Sequence, residues 1–147
     1  MSQEFVNTVT GPVRVEDLGV TLMHEHVLIG YPGWEADTLR PGPARAEIVS
    51  TAVEKIRSMQ EIGIQSMLDP CPNDLGRDVG LAAEVADKTG FNIICATGLY
   101  KENEGGFAHW HFVRSIGRGV EAMAELFIHE LTRGIGDTGV KAGITKV

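Results

Sequence analysis

The sequence predicts an α/β fold with parallel strands. One observation carries that expectation and two narrow it. Strand-like and helix-like runs alternate along the chain: strand, helix, strand, helix, strand, helix, strand. Such alternation argues for parallel strands joined by crossover helices. The length of 147 residues favours one domain over two. No GxGxxG or P-loop follows any strand, which weakens a nucleotide-binding version. Two architectures fit, an open doubly wound sheet and a (β/α) barrel.

The elements follow in order. "NTVTGPVRV" carries two β-prone stretches around Thr10-Gly11-Pro12, which reads as a hairpin or turn. "GVTLMHEH" reads as the first strand of the alternating series, and a Gly- and Pro-rich loop runs from Leu28 to Pro43. Ile48, Val49, Ala52, Val53, Ile56 and Met59 keep helical spacing, which predicts a helix over Ala44–Ile62, stopped by Gly63. "IQSMLD" is a short buried-type strand ended by Pro70 and Pro72. Asn73 or Asp74 is expected to cap the next helix, which carries Leu75, Val79, Ala82, Ala83 and Ala86 and ends at Gly90. "FNIICAT" is the third strand. The connection from Tyr100 to Gly117 is long, and long loops in compact domains are often functional. Val120, Met123, Ala124, Phe127, Ile128 and Leu131 form an apolar stripe on a last helix that Gly134 terminates, and "AGITKV" is the fourth strand.

Composition excludes several classes. Apolar residues make up 43%, as in a globular rather than a disordered chain. The net charge of −7 and scattered basic residues argue against a nucleic-acid partner. No apolar run is long enough to span a bilayer, and "MSQEFVNTVT" has no signal-peptide pattern. Two cysteines, Cys71 and Cys95, make no disulfide framework, so a reducing, cytoplasmic setting is expected.

"LMHEHV" carries the chemistry. Residues i and i+2 of a strand share a face, so His24 and His26 project together and Glu25 points away. They sit at the C-terminal end of the first strand, where active sites form in both architectures. Two imidazoles so placed can grip one divalent cation, but catalytic zinc normally recruits three protein ligands. His109 and His111 form a second HxH in the long loop, read as exposed or substrate-facing. His129 flanks an apolar stripe and reads as a surface residue. Asp69 ends the second strand; it can orient a metal-bound imidazole or cap the "DPCPND" turn. Lys146 ends the fourth strand, in the place equivalent to His26. Its ordinary role would be a snorkelling or ion-paired lysine; as a carbamate it could bridge two cations.

Taken together, "NTVTGPV", "GVTLMHEHV", "LGRDVGLAAEVADKTGFNIICATGLY", "ELFIHEL" and "GIGDTGVKAGITKV" resemble the phosphotriesterase family of the amidohydrolase superfamily, nearly end to end. The resemblance implies the first four strand–helix units, the N-terminal half, of a (β/α)8 TIM barrel of the metal-dependent hydrolase type. It implies two divalent metal ions, zinc foremost with iron, cobalt or manganese also suitable. His24 and His26 match ligands of the more buried metal, and Lys146 matches the carboxylated lysine that bridges both. The metals activate a bridging hydroxide that attacks a lactone carbonyl or a phosphotriester. Tyr100 matches an aromatic wall that is tyrosine in lactonase-like members, which leans toward lactones over organophosphates. Arg77 and Asp78 also match, and read as structural residues in a helix's first turn. The whole protein is expected to be a homodimer acting on a small molecule.

Such a barrel takes roughly 250 residues, and this sequence stops one residue past Lys146. The family's further ligands, two histidines and an aspartate, fall on strands five, six and eight, outside these residues. Four parallel strands leave two open edges, so residues 1–147 alone are expected to be unstable or self-associating, and inactive. The alternative function is a non-catalytic half-barrel that binds or assembles with a partner.

Overall fold

A computed structural model describes residues 4–101 and 107–146. The chain opens with the expected hairpin. Strands β1 (Phe5–Thr8) and β2 (Gly11–Arg14) pair antiparallel, with Thr8 opposite Gly11. The Thr8 hydroxyl closes the turn by donating to the Gly11 carbonyl at 2.6 Å. Val9 N–H donates to Ile93 O (2.9 Å) and the Asn7 amide to Ala142 O (3.2 Å), which seats the hairpin against the larger sheet. Gly143 is needed at that seam: a Cβ there would collide with Ile94 and the Asn7 carbonyl.

The remaining strands form one parallel sheet curled into a half-barrel. They are β3 (Val20–Leu22), β4 (Ile64–Asp69), β5 (Asn92–Gly98) and β6 (Ile144–Lys146), in the order β3-β4-β5-β6. Helices α1 (Arg45–Glu61), α2 (Val79–Thr89), α3 (Phe107–Ser115) and α4 (Gly119–Thr132) complete the alternation. Central β5 is buried from Ile93 to Gly98, whereas Val20 on edge strand β3 is 63% exposed. One contiguous core joins Val49 and Ile56 of α1, Leu81, Val85 and Ala86 of α2, and Met67, Ile93 and Cys95 of the sheet. A parallel sheet needs such a helical cover because both of its faces are apolar.

Several expectations change in detail. The β3 ladder ends at Leu22, so His24 and His26 lie just past the strand rather than within it. The α2 cap is Asp78, whose carboxylate accepts from Leu81 N at 2.7 Å, not Asn73 or Asp74. A left-handed turn at Gly76, packed on the Gly30 backbone, lengthens the loop and leaves Leu75 and Arg77 before the helix. The stretch from Tyr100 to Gly117, expected as a loop, holds α3, and residues 102–106 lie outside the described residues. The stripe on α4 is largely uncovered, with Val120 74% and Ile128 60% exposed, and the residue that α4 buries is Glu130.

Candidate metal centre

The end of β3 stays tied to the sheet after its ladder stops. Glu25 N–H donates to Leu68 O at 3.2 Å, which holds the histidine segment beside the C-terminal end of β4. His24 and His26 meet edge to face, with ring centroids 5.1 Å apart. The shared orientation expected from strand geometry therefore survives the early end of the strand. His24 is exposed and His26 half-buried.

Asp69, last residue of β4, organises this corner. Its Oδ1 lies 3.1 Å from His26 Nδ1 and accepts from Cys71 N–H at 3.0 Å; its Oδ2 accepts from Val27 N–H at 3.0 Å. Both roles read from the sequence, orienting His26 and closing the turn at Pro70–Pro72, fall to one carboxylate. A carboxylate against Nδ1 favours the tautomer with its proton there, which leaves the Nε2 lone pair free. Burial raises the Asp69 carboxyl above the ordinary carboxylate range, and the Val27 and Cys71 amides and His26 offset only part of that.

Cys71 completes a three-donor group with His26 and Asp69, all ligand atoms lying within 4.8 Å. Its thiol is a poor ligand. Burial, and then the Asp69 charge, push it up to about 12, and Sγ–H donates to Leu75 O at 3.0 Å. Cys71 is a packing thiol that stays protonated at neutral pH.

Lys146 stands at the C-terminal end of β6, in register with Gly98 of β5. Histidines and lysine therefore share one end of the sheet but occupy opposite edges, with β4 and β5 between them. Tyr100 follows β5; its N–H donates to Asp74 Oδ1 at 2.8 Å, and its ring meets Tyr31 edge to face at 6.2 Å. Tyr31 comes from the loop after β3, where no periodicity in the sequence singles it out.

The other histidines stay apart from this corner. His109 and His111 ride on exposed turns of α3, not in a loop, where they contact Trp110 and Phe107. His129 is exposed on α4. The sequence reading also missed a buried ion pair. Arg77 holds Glu130 through two hydrogen bonds of 2.8 Å and donates to Ala96 O at 2.8 Å. Thr97 Oγ1 donates to the same carboxylate at 2.5 Å. A glutamate placed inside the apolar register of α4 was the available signal.

A curled parallel half-sheet with chemistry-bearing side chains at the C-terminal ends of its strands is the arrangement of enzymes built on (β/α)8 barrels. The family follows from comparison. The model of the phosphotriesterase family matches residues 4–147, and the chain belongs to that family. A phosphotriesterase homology protein of Mycobacterium tuberculosis is 36% identical, the alignment covering 96% of this chain and 44% of that protein. An aryldialkylphosphatase of Saccharolobus solfataricus is 29% identical over 92% of this chain and 41% of its own length. The solved organophosphorus hydrolase of Deinococcus radiodurans superposes with a TM-score of 0.95 at 39% identity, covering 99% of this chain and 44% of that one. The chain thus spans less than half the length of the relatives it matches.

Proposed function

We propose that this protein is a metal-dependent hydrolase of lactones, with phosphotriesters as a secondary substrate class. The observation that carries the reading is the Asp69–His26 hydrogen bond beside His24. The donors fit a divalent cation: two imidazoles meet at one strand end, and a buried carboxylate fixes one of them with Nε2 free. His24 and His26 would hold one cation, zinc foremost, with iron, cobalt and manganese compatible with the same donors. Lys146 would serve as an anionic ligand to two cations after its neutral amine takes up carbon dioxide and releases a proton, giving a carbamate. Divalent cations held there supply Lewis acidity and an acidified water.

The chain's own residues do the positioning. Asp69 keeps the His26 proton on Nδ1. Tyr100, anchored through its backbone by Asp74 and flanked by Tyr31, walls the substrate side. The tyrosine at this position supports the lactone preference.

The test uses the product of the whole reading frame that encodes this chain. A chelator should abolish hydrolysis of a lactone and of a dialkyl aryl phosphate, and zinc should restore both. His26→Ala should lose metal and rate together. Retention of both by His26→Ala would overturn the proposal.

A further inference from the structure

The Arg77–Glu130–Thr97 network lies on the helix-facing side of β5, buried behind the last residues of that strand. Arg77 and Glu130 side chains are 10% and 5% exposed, and Thr97 is fully buried. A buried ion pair is a weak source of stability, since apolar residues of similar volume often serve as well. A bidentate guanidinium–carboxylate pair does supply fixed geometry. The question is what that geometry fixes.

Lys146 depends on β5 for its place. Strand β6 has three residues, paired Ala96↔Ile144, Thr97↔Thr145 and Gly98↔Lys146. Glu130 grips both partners of this short ladder. On the β5 side its carboxylate takes the Thr97 hydroxyl, and Arg77 takes the Ala96 carbonyl. On the β6 side its main-chain carbonyl accepts from Ala142 N–H at 2.9 Å, at the entry to the strand. The register ends in a close contact: Leu99 N–H donates to Lys146 O (3.2 Å), and a Cβ on Gly98 would overlap that same oxygen. We infer that Glu130, clamped by Arg77 and Thr97, is a positioning residue that sets where Lys146 presents its amine at the sheet end. This rests on the proposed role of Lys146 as a metal ligand.

The experiment measures cobalt(II) affinity by chelator competition in bicarbonate buffer, beside thermal unfolding. It is run on the product of the whole reading frame. Lys146→Met tests the underlying reading: unchanged affinity would overturn the ligand role itself. Given that loss, Arg77→Met/Glu130→Leu should unfold within a few degrees of the parent yet bind cobalt about 10–100-fold more weakly, the range for groups that orient metal ligands. A smaller change needs no such double exchange: Thr97→Val should weaken binding and Thr97→Ser should restore it. Parent-like affinity in the folded double variant and in Thr97→Val, with Lys146→Met defective, would overturn the inference while leaving the ligand role standing. If the double variant fails to fold, the Thr97 pair decides alone.

Discussion

Removing the Asp69 carboxylate should cost both stability and metal affinity, by separable amounts. Asp69 is 7% exposed and accepts three hydrogen bonds, from His26 Nδ1 and from the Val27 and Cys71 amides. Asp69→Ala strands two backbone N–H groups at about 1–3 kcal/mol each, a loss of roughly 2–6 kcal/mol in urea denaturation. It also frees the His26 ring, and cation affinity should fall about 10–100-fold. Asp69→Asn separates the two effects. Its single oxygen can replace Oδ1, serving His26 and Cys71, while its NH2 opposes Val27 N–H. The His26 tautomer then survives with one orphan donor, at about 1–3 kcal/mol. In the flipped orientation Cys71 N–H is orphaned and the NH2 donates to Nδ1, which moves the ring proton to Nε2 and blocks ligation. A cation held at Nε2 would favour the first orientation. Asp69→Asn should therefore resemble the parent in affinity more than Asp69→Ala does. Chelator competition beside urea unfolding measures both quantities. Unchanged affinity in folded Asp69→Ala would refute the orienting role.

Three further outcomes concern buried groups of the sheet and its helices. Burial pushes the Glu130 carboxyl up, but the Arg77 and Thr97 hydrogen bonds and the Arg77 charge together hold it below the usual 4.5. A carboxyl depressed on folding stabilises above its unfolded value and loses that contribution as pH falls through its folded one. The stability gap between parent and Glu130→Gln should thus be full at neutral pH and shrink below about pH 4.5, as followed by thermal unfolding across pH. Gly98→Ala, at φ +136° against the Lys146 carbonyl, should cost at least the roughly 1–3 kcal/mol of backbone strain, read from the urea midpoint. Phe91→Ala, at a site 1% exposed, should cost about 3–5 kcal/mol in the same assay.

Periodicity made the scaffold legible. The α1 stripe, the β4 and β5 runs and Gly63 and Gly90 mark elements that the structure places within a residue or two. The histidine pair was legible because spacing alone brings two side chains together. What periodicity could not show was long-range pairing. Asp69 lies 43 residues from His26, and Glu130 lies 53 from Arg77. Nor could it show the true α2 cap, since Asn73, Asp74 and Asp78 are all competent caps and the choice depends on how Gly76 meets Gly30. The α4 stripe misled for a related reason. Amphipathic spacing gives a face that can be buried, while among the described residues the contacts select Glu130 instead.

The two buried carboxylates show why the site has the residues it does. Asp69 and Glu130 each accept three or more hydrogen bonds, yet their acidities shift in opposite directions. Glu130 faces a guanidinium, whose permanent charge compensates its own. Asp69 faces two amides and an imidazole, which stabilise its charge less completely than burial opposes it. A carboxylate left more basic is a stronger acceptor for the His26 Nδ1 proton, and so makes Nε2 a better electron-pair donor. An arginine beside Asp69 would quiet that acceptor and crowd a cation site with positive charge. A histidine partner for Glu130 would leave its fork half filled and the β5–β6 register loosely held. The fold thus puts its fixed charge on the helix side, where geometry is needed, and its responsive hydrogen bond at the strand ends, where a cation would bind.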